Sequence, residues 1–141
     1  MAEAHLTLLA ELLDLLDRYA REVERKELEH DREAWVKVKG ALETAAQCAI
    51  DLALQIVARR GLGAPQAYRE AFAALARAGV LSSELATELE SWAGLRNVLT
   101  HIYTALDLDR IHGALAETAP LRSFHRIAAQ ELMPTEGTED G

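Results

Sequence analysis

Arg96, His101 and Tyr103 follow one another as R-x4-H-x-Y within Arg96-Asn97-Val98-Leu99-Thr100-His101-Ile102-Tyr103. Together these side-chain types can handle a phosphodiester. An arginine fork neutralises phosphate charge, an imidazole titrating near neutral pH moves protons, and a phenol donates, accepts or is itself modified.

On a helical wheel stepped by ~100° per residue with Arg96 at zero, Tyr103, Thr100, Thr104, Asn97 and His101 share one arc of ~160° with it. Val98, Ile102, Leu95, Leu106, Leu99 and Trp92 fill the complementary arc, so the pattern predicts a packed side and a polar side. The rhythm Leu85, Leu89, Trp92 continues into Arg96, Leu99, Tyr103 and Leu106, which places Arg96 and Tyr103 half-buried at a groove margin. Asn97 stands four residues before His101, and a hydrogen bond between them would orient the imidazole. Arg96 and His101 lie ~140° apart on the wheel, too far to aim at one atom from a single straight helix. Two copies facing across a two-fold axis would bring one arginine towards the other histidine, so a catalytic role calls for a homodimer. The plainer alternative is a solvated helix face whose Arg and Tyr snorkel at the core edge.

Other candidates carry less chemistry. Asp51 sits among Ala49, Ile50, Leu52 and Leu54, where a carboxylate needs a partner; a structural ion pair is expected, with Arg96 as a candidate, which would make Asp51 a support of the site. Glu27-Leu28-Glu29-His30 and Asp109-Arg110-Ile111-His112 each hold a carboxylate-x-x-His pair, but the first falls in a charged connector and the second lacks a matching Glu pair, so no metal is expected. His5, His30, His112 and His125 read as surface or helix-end residues. Trp35 and Trp92 lie on apolar stripes and read as core or interface anchors; at 5% aromatic content, no base-stacking surface is expected.

The elements that must carry these residues are helical throughout. Only three Pro and eight Gly among 141 residues, half of them hydrophobic, suit one helical domain with a substantial core. Leu6, Leu9, Leu13, Leu16, Ala20 and Val23 form the seam of a first helix running to about Lys26, and a charged connector, Glu27 to His30, leads to Asp31 as N-cap of a second. That second helix carries Trp35, Val38, Leu42, Ala45, Ala49, Leu52 and Ile56 on one stripe and ends at Arg59-Arg60-Gly61. A short third helix spans Gln66 to Ala78. Ser82 or Ser83 caps a fourth, Glu84 to about Leu106, and a fifth region runs from Asp109 to Met133 with Pro120 as a kink or break. The expected fold is an all-α antiparallel bundle of about five helices over residues 1–133, followed by a disordered acidic tail, Pro134 to Gly141.

The net charge of −8 is unevenly spread: residues 1–34 hold ten acids and five bases, whereas 35–130 hold nine and ten. A broad basic face for gripping duplex nucleic acid is therefore not expected, while a local phosphate site is compatible. The lone Cys48 allows no disulfide framework or zinc cluster within one chain, which fits a reduced, cytoplasmic setting. The leucine-rich start is interrupted by Glu11, Asp14 and Asp17, so it reads as an amphipathic helix and not a membrane span.

On these residues the sequence resembles the HepT-like toxins of the HEPN superfamily, whose signature is R-x4-6-H, commonly extended to R-x4-H-x-Y. Gly94 to Tyr103 fits without a gap, and the likeness extends to Ala49-Ile50-Asp51-Leu52, to Gly61-Leu62-Gly63-Ala64-Pro65-Gln66-Ala67-Tyr68, and to Phe72, Leu75 and Gly79-Val80-Leu81. The resemblance implies a dimer-forming HEPN-like helical domain with a composite cleft at the homodimer interface that cleaves RNA without a required metal or other cofactor. It implies Arg96 and His101 as catalytic residues, Asn97 as a supporting polar residue and Tyr103 as the acceptor of AMP. The implied partner is a minimal nucleotidyltransferase antitoxin whose AMP transfer silences the toxin; a non-catalytic subunit that binds such a nucleotidyltransferase is the alternative.

Overall fold

The computed structural model describes residues 2–100 and 108–133. These form seven helices: α1 (Ala2–Glu22), α2 (Arg25–His30), α3 (Arg32–Arg59), α4 (Tyr68–Arg77), α5 (Ser83–Thr100), α6 (Leu108–Ala114) and α7 (Ala119–Leu132). His101, Tyr103, the expected extension of the fourth helix to Leu106 and the expected tail at 134–141 lie outside the described residues.

The all-helical class agrees with the sequence, but the count of about five does not, for two local reasons. The supposed connector Glu27 to His30 is helical: the Glu27 carboxylate turns back to accept from the Glu24 amide at 2.9 Å, and Leu28 is buried as its anchor. The first helix accordingly ends at Glu22 and not near Lys26. The second reason is Pro120, which stands in the first turn of α7 and separates it from α6. Lacking an N–H and clashing with the carbonyl four residues back, proline cannot continue a helix through this point but suits a helix start.

The other expected boundaries follow their local chemistry. Asp31 accepts from the amides of Glu33 and Ala34 at 3.0 and 3.3 Å as the N-cap of α3, and Ser82 Oγ accepts from Leu85 at 3.1 Å ahead of α5. Gly61 and Gly79 take φ of +66° and +81° just past α3 and α4, a left-handed turn that a Cβ would strain.

Cross-helix contacts give the directions. His5 near the start of α1 meets Asp51 late in α3, while Thr100 at the end of α5 meets Glu43 in the first half of α3, so α1 and α5 both run opposite to α3. Asp17 late in α1 accepts from Thr118 and Arg122 at the start of α7, and His125 of α7 contacts the Leu6 carbonyl at 2.9 Å, so α7 runs opposite to α1. The result is an up-and-down bundle around α3, which packs against α1, α2, α4, α5 and α7. Although α3 is long and apolar enough to cross a membrane, most of its apolar stretch is buried inside this bundle. Phe72 of α4 meets Phe124 of α7 edge to face, with centroids 5.7 Å apart, and joins the Leu and Ile core.

Histidines expected at the surface act instead as ties. His5 Nε2 lies 3.3 Å from Asp51 Oδ2, His112 Nε2 is 2.7 Å from the Val23 carbonyl and His125 spans α7 to α1. Each is half-buried, because each ties its helix to a neighbouring segment at the bundle margin, whereas His30 is exposed.

Candidate functional site around Arg96

Arg96 lies one turn before the end of α5, a helix buried on two sides. Its Leu95, Leu99 and Trp92 enter the core as the wheel requires, and the Trp92 indole donates to the Glu117 carbonyl at 3.2 Å. Ala93 is buried too, although it falls on the polar arc, because α4 covers that flank. The polar arc is thus no open surface but a seam between α3 and α4, with Arg96 half-buried, Asn97 exposed and Thr100 half-buried.

On the α3 side, Arg96 borders a cleft of about 270 Å³ shared with Glu43, Thr44 and Gln47. Glu43 is the electrostatic centre of that wall: its Oε2 accepts from Thr100 Oγ1 at 2.7 Å and its Oε1 pairs with Lys39 Nζ at 3.0 Å. The Thr100 hydrogen bond holds the Glu43 carboxyl below the usual carboxylate range; partial burial opposes this, and the charges of Lys39 and Arg96 reinforce it. Glu43 therefore fixes the α5 turn that immediately precedes His101.

On the α4 side, the guanidinium carbon of Arg96 lies 5.6 Å from the centroid of the Tyr68 ring. A second cleft, of about 280 Å³, opens here between Ala67, Tyr68, Ala93, Gly94 and Asn97. The Arg96 Nη1 reaches Asn97 Oδ1 at 3.4 Å, a long contact between sequence neighbours. Arg96 thus lines the cleft with the acidic wall and meets the other only through two of its lining residues, Tyr68 and Asn97.

The expected supports divide. Asp51 does not pair with Arg96: it takes His5 of α1 and, at 2.9 Å, the amide of Gln47 one turn earlier. The reason is angular, since Asp51 lies two turns beyond Glu43 along α3, on the flank covered by α1. It touches the Arg96 cleft only through Gln47, whose buried Oε1 accepts no protein hydrogen bond among the described residues. Cys48 is buried and inert, its thiol raised to about 11 by burial and then by the Asp51 charge. Of the carboxylate-x-x-His pairs, Asp109 binds Arg25 and His112 binds the Val23 carbonyl, and the described residues hold no group of three His, Cys, Asp or Glu suited to a metal.

Glu43 and Tyr68 were not singled out as site residues from the sequence. The spacing Lys39, Glu43, Gln47, Asp51 marks a polar ladder of i,i+4 steps on an otherwise apolar helix and could have pointed to Glu43. Nothing local distinguishes Tyr68; only the packing of α4 on α5 brings it to Arg96.

Comparison with known proteins adds a pedigree to this geometry. A family model described as HepT-like ribonuclease matches residues 9–127. The mRNA nuclease HepT of Shewanella oneidensis is 35% identical over 68 residues, 48% of this chain and 51% of that protein, so the match spans about half the length of the curated relative. A rebuilt and re-refined structure of the tri-AMPylated Shewanella oneidensis HEPN toxin in complex with MNT antitoxin superposes with a TM-score of 0.80 at 21% identity, covering 89% of this chain and 94% of that one. A crystal structure of a toxin-antitoxin with AMP-PNP gives 0.81 at 20% identity, covering 92% and 97%. At such identities the structural likeness is one of fold.

Proposed function

From the premise that this chain belongs to the HepT-like ribonuclease family, we propose that it is the toxin of a toxin-antitoxin pair, a homodimeric endoribonuclease of the cytoplasm. The observation that carries the reading is Arg96: the first residue of an R-x4-H-x-Y run, half-buried where α5 meets both α3 and α4, lining the cleft beside Glu43 and standing over the Tyr68 ring.

Cleavage follows from what these side chains can do. The RNA 2′-oxygen attacks the adjacent phosphorus, the 5′-oxygen leaves, and the products are a cyclic phosphate and a free 5′-hydroxyl. His101 takes the proton of the 2′-hydroxyl, a second His101 from the partner copy returns one to the leaving oxygen, and Arg96 stabilises the charge gathering on the phosphorane. Asn97 supports Arg96 at the cleft rim. No metal is required, because proton transfer and charge neutralisation are both supplied by side chains. The wheel separation of Arg96 and His101 is met by pairing two copies across a two-fold axis.

Regulation falls to Tyr103 and to a nucleotidyltransferase antitoxin. AMP joined to the Tyr103 oxygen, with pyrophosphate released from ATP, adds bulk and negative charge two residues from His101 and occupies the arginine. The complexes named above, each a toxin with its antitoxin, also suit a second reading in which the chain is a non-catalytic subunit docking a nucleotidyltransferase.

Incubation of the purified protein with labelled single-stranded RNA in the presence of EDTA separates the two. Cleavage is expected with the native chain, and Arg96→Ala and His101→Ala are each expected to lower the rate by about a hundredfold or more, as for removal of one transition-state stabiliser, with circular dichroism unchanged. A chain that binds the nucleotidyltransferase yet cuts no RNA supports the second reading. Mass analysis after incubation with the antitoxin and ATP tests AMP on Tyr103.

A further inference from the structure

Six aromatic residues are described, and Tyr68 alone among them is exposed, at 46%, while Tyr19, Phe72, Trp92 and Phe124 are buried and Trp35 is half-buried. Its exposure is not forced by its neighbours. Phe72, one turn further along α4, is fully in the core, so the helix buries one aromatic and presents the other outward.

Tyr68 is presented at a specific place. It forms one wall of the cleft that also holds Ala67, Ala93, Gly94 and Asn97, whose floor of small side chains leaves about 280 Å³ open, near the lower end of ligand-sized clefts at ~300 Å³. The Arg96 guanidinium stands over the ring, bringing positive charge beside this wall of the cleft. A ring that is 46% exposed with a cation against one face, and an amide in the same cleft, offer the combination by which proteins hold single-stranded nucleic acid, with base on the ring's other face and phosphate on the cation.

We propose that this cleft is a nucleobase subsite of the RNA-cleaving site, in which the Tyr68 ring stacks one unpaired base and Arg96 takes the phosphate beside it. This proposal departs from the sequence expectation of no stacking surface, because one ring suffices when a cation adjoins it. Asn97 lines the same cleft and supplies an amide for the base edge. The subsite favours unpaired RNA, because a base within a duplex has no free face for the ring. This inference rests on the endoribonuclease reading above.

The test uses the full chain in a His101→Ala background, so that RNA is bound without turnover, with fluorescein-labelled oligo(A) and oligo(U) followed by anisotropy. Tyr68→Leu, which keeps apolar bulk but loses the π-face, is expected to weaken binding by about tenfold, and Tyr68→Phe to stay within about twofold. In the His101-intact protein the same Leu substitution is expected to raise KM about tenfold and leave kcat within about twofold. An oligonucleotide carrying one abasic site, moved along its length, should reproduce the loss at a single position and show no further loss with Tyr68→Leu. Equal binding by the Tyr, Phe and Leu forms overturns the subsite. So does a fall in kcat at constant affinity, which would make the ring a prop for Arg96 alone, or a Tyr68→Leu defect confined to dimerisation or antitoxin binding. If the unsubstituted chain neither binds nor cuts RNA, the ribonuclease reading falls and the subsite with it; cleavage that ignores Tyr68 sinks the subsite only.

Discussion

Replacing Glu43 by alanine removes two contacts on the α3 wall, the 2.7 Å hydrogen bond from Thr100 and the 3.0 Å pair with Lys39. The Lys39 pair is an i,i+4 contact with both side chains about a third exposed, at 33% and 29%, so it contributes only ~0.3–0.5 kcal/mol. The Thr100 bond to a carboxylate would be worth ~1.5–3 kcal/mol if sealed from water; solvent screening at this exposure brings it to about 1 kcal/mol. Alanine returns a few tenths through its better helix propensity. The expected loss for Glu43→Ala is therefore about 1 kcal/mol, and about half of that for Glu43→Gln, which keeps an acceptor but no charge.

The pH dependence has a definite sign. Thr100, with Lys39 and Arg96, lowers the folded-state pKa of Glu43 beneath its ordinary 4.5, so the stabilisation is complete above that value and disappears as pH falls through the lower folded value. Urea unfolding followed by far-UV circular dichroism should show the Glu43→Gln gap at about pH 7 and its progressive loss as pH falls below 4.5. Thr100→Val should cost a similar amount, and the double substitution with Glu43→Ala should fall short of the sum by about 1 kcal/mol. A gap that persists at low pH, or strict additivity of the pair, would refute the assignment of Glu43 as the tie between α3 and the end of α5.

Further substitutions probe other links. Gly40 lies inside α3 with no atom within 4 Å of an added Cβ and with ordinary helical φ, so Gly40→Ala should raise stability by ~0.5–1 kcal/mol in urea; a decrease would show that another chain approaches that face. Phe124→Ala, which empties the edge-to-face contact with Phe72, should cost ~3–5 kcal/mol, and a loss under 1 kcal/mol would contradict the full burial of Phe124 in the core. Cys48, with its thiol raised to about 11, should resist iodoacetamide at mildly alkaline pH until the chain is unfolded, whereas rapid labelling of the native protein would place it at a surface.

How far the sequence reached differs from one element to another. Caps and stops were legible wherever the chemistry is local: Asp31, Ser82 and Gly61 announce helix ends by what their own side chains, or the lack of one, do to nearby amides and carbonyls. The wheel correctly assigned Leu95, Leu99 and Trp92 to the core and left Arg96 at its margin. It gave no sign of the burial of Ala93, because a wheel describes one helix and cannot know that a second neighbour covers its polar flank. It failed likewise for Glu27 to His30, where polar composition suggested a connector but a reciprocal contact between Glu24 and Glu27, with Leu28 as anchor, supports a short helix.

Sequence by itself determined the helical class, most helix ends and the R-x4-H-x-Y run, since periodicity and capping act within a few residues and are written consecutively in the chain. Tertiary structure alone decided which side chains surround Arg96. Glu43 stands 53 positions before it and Tyr68 28 positions before it, and their approach depends on the directions in which α3, α4 and α5 cross. The same packing gave Asp51 to His5 and Gln47 instead of Arg96, because a carboxylate on a buried helix pairs with whichever donor the neighbouring helix carries to its height.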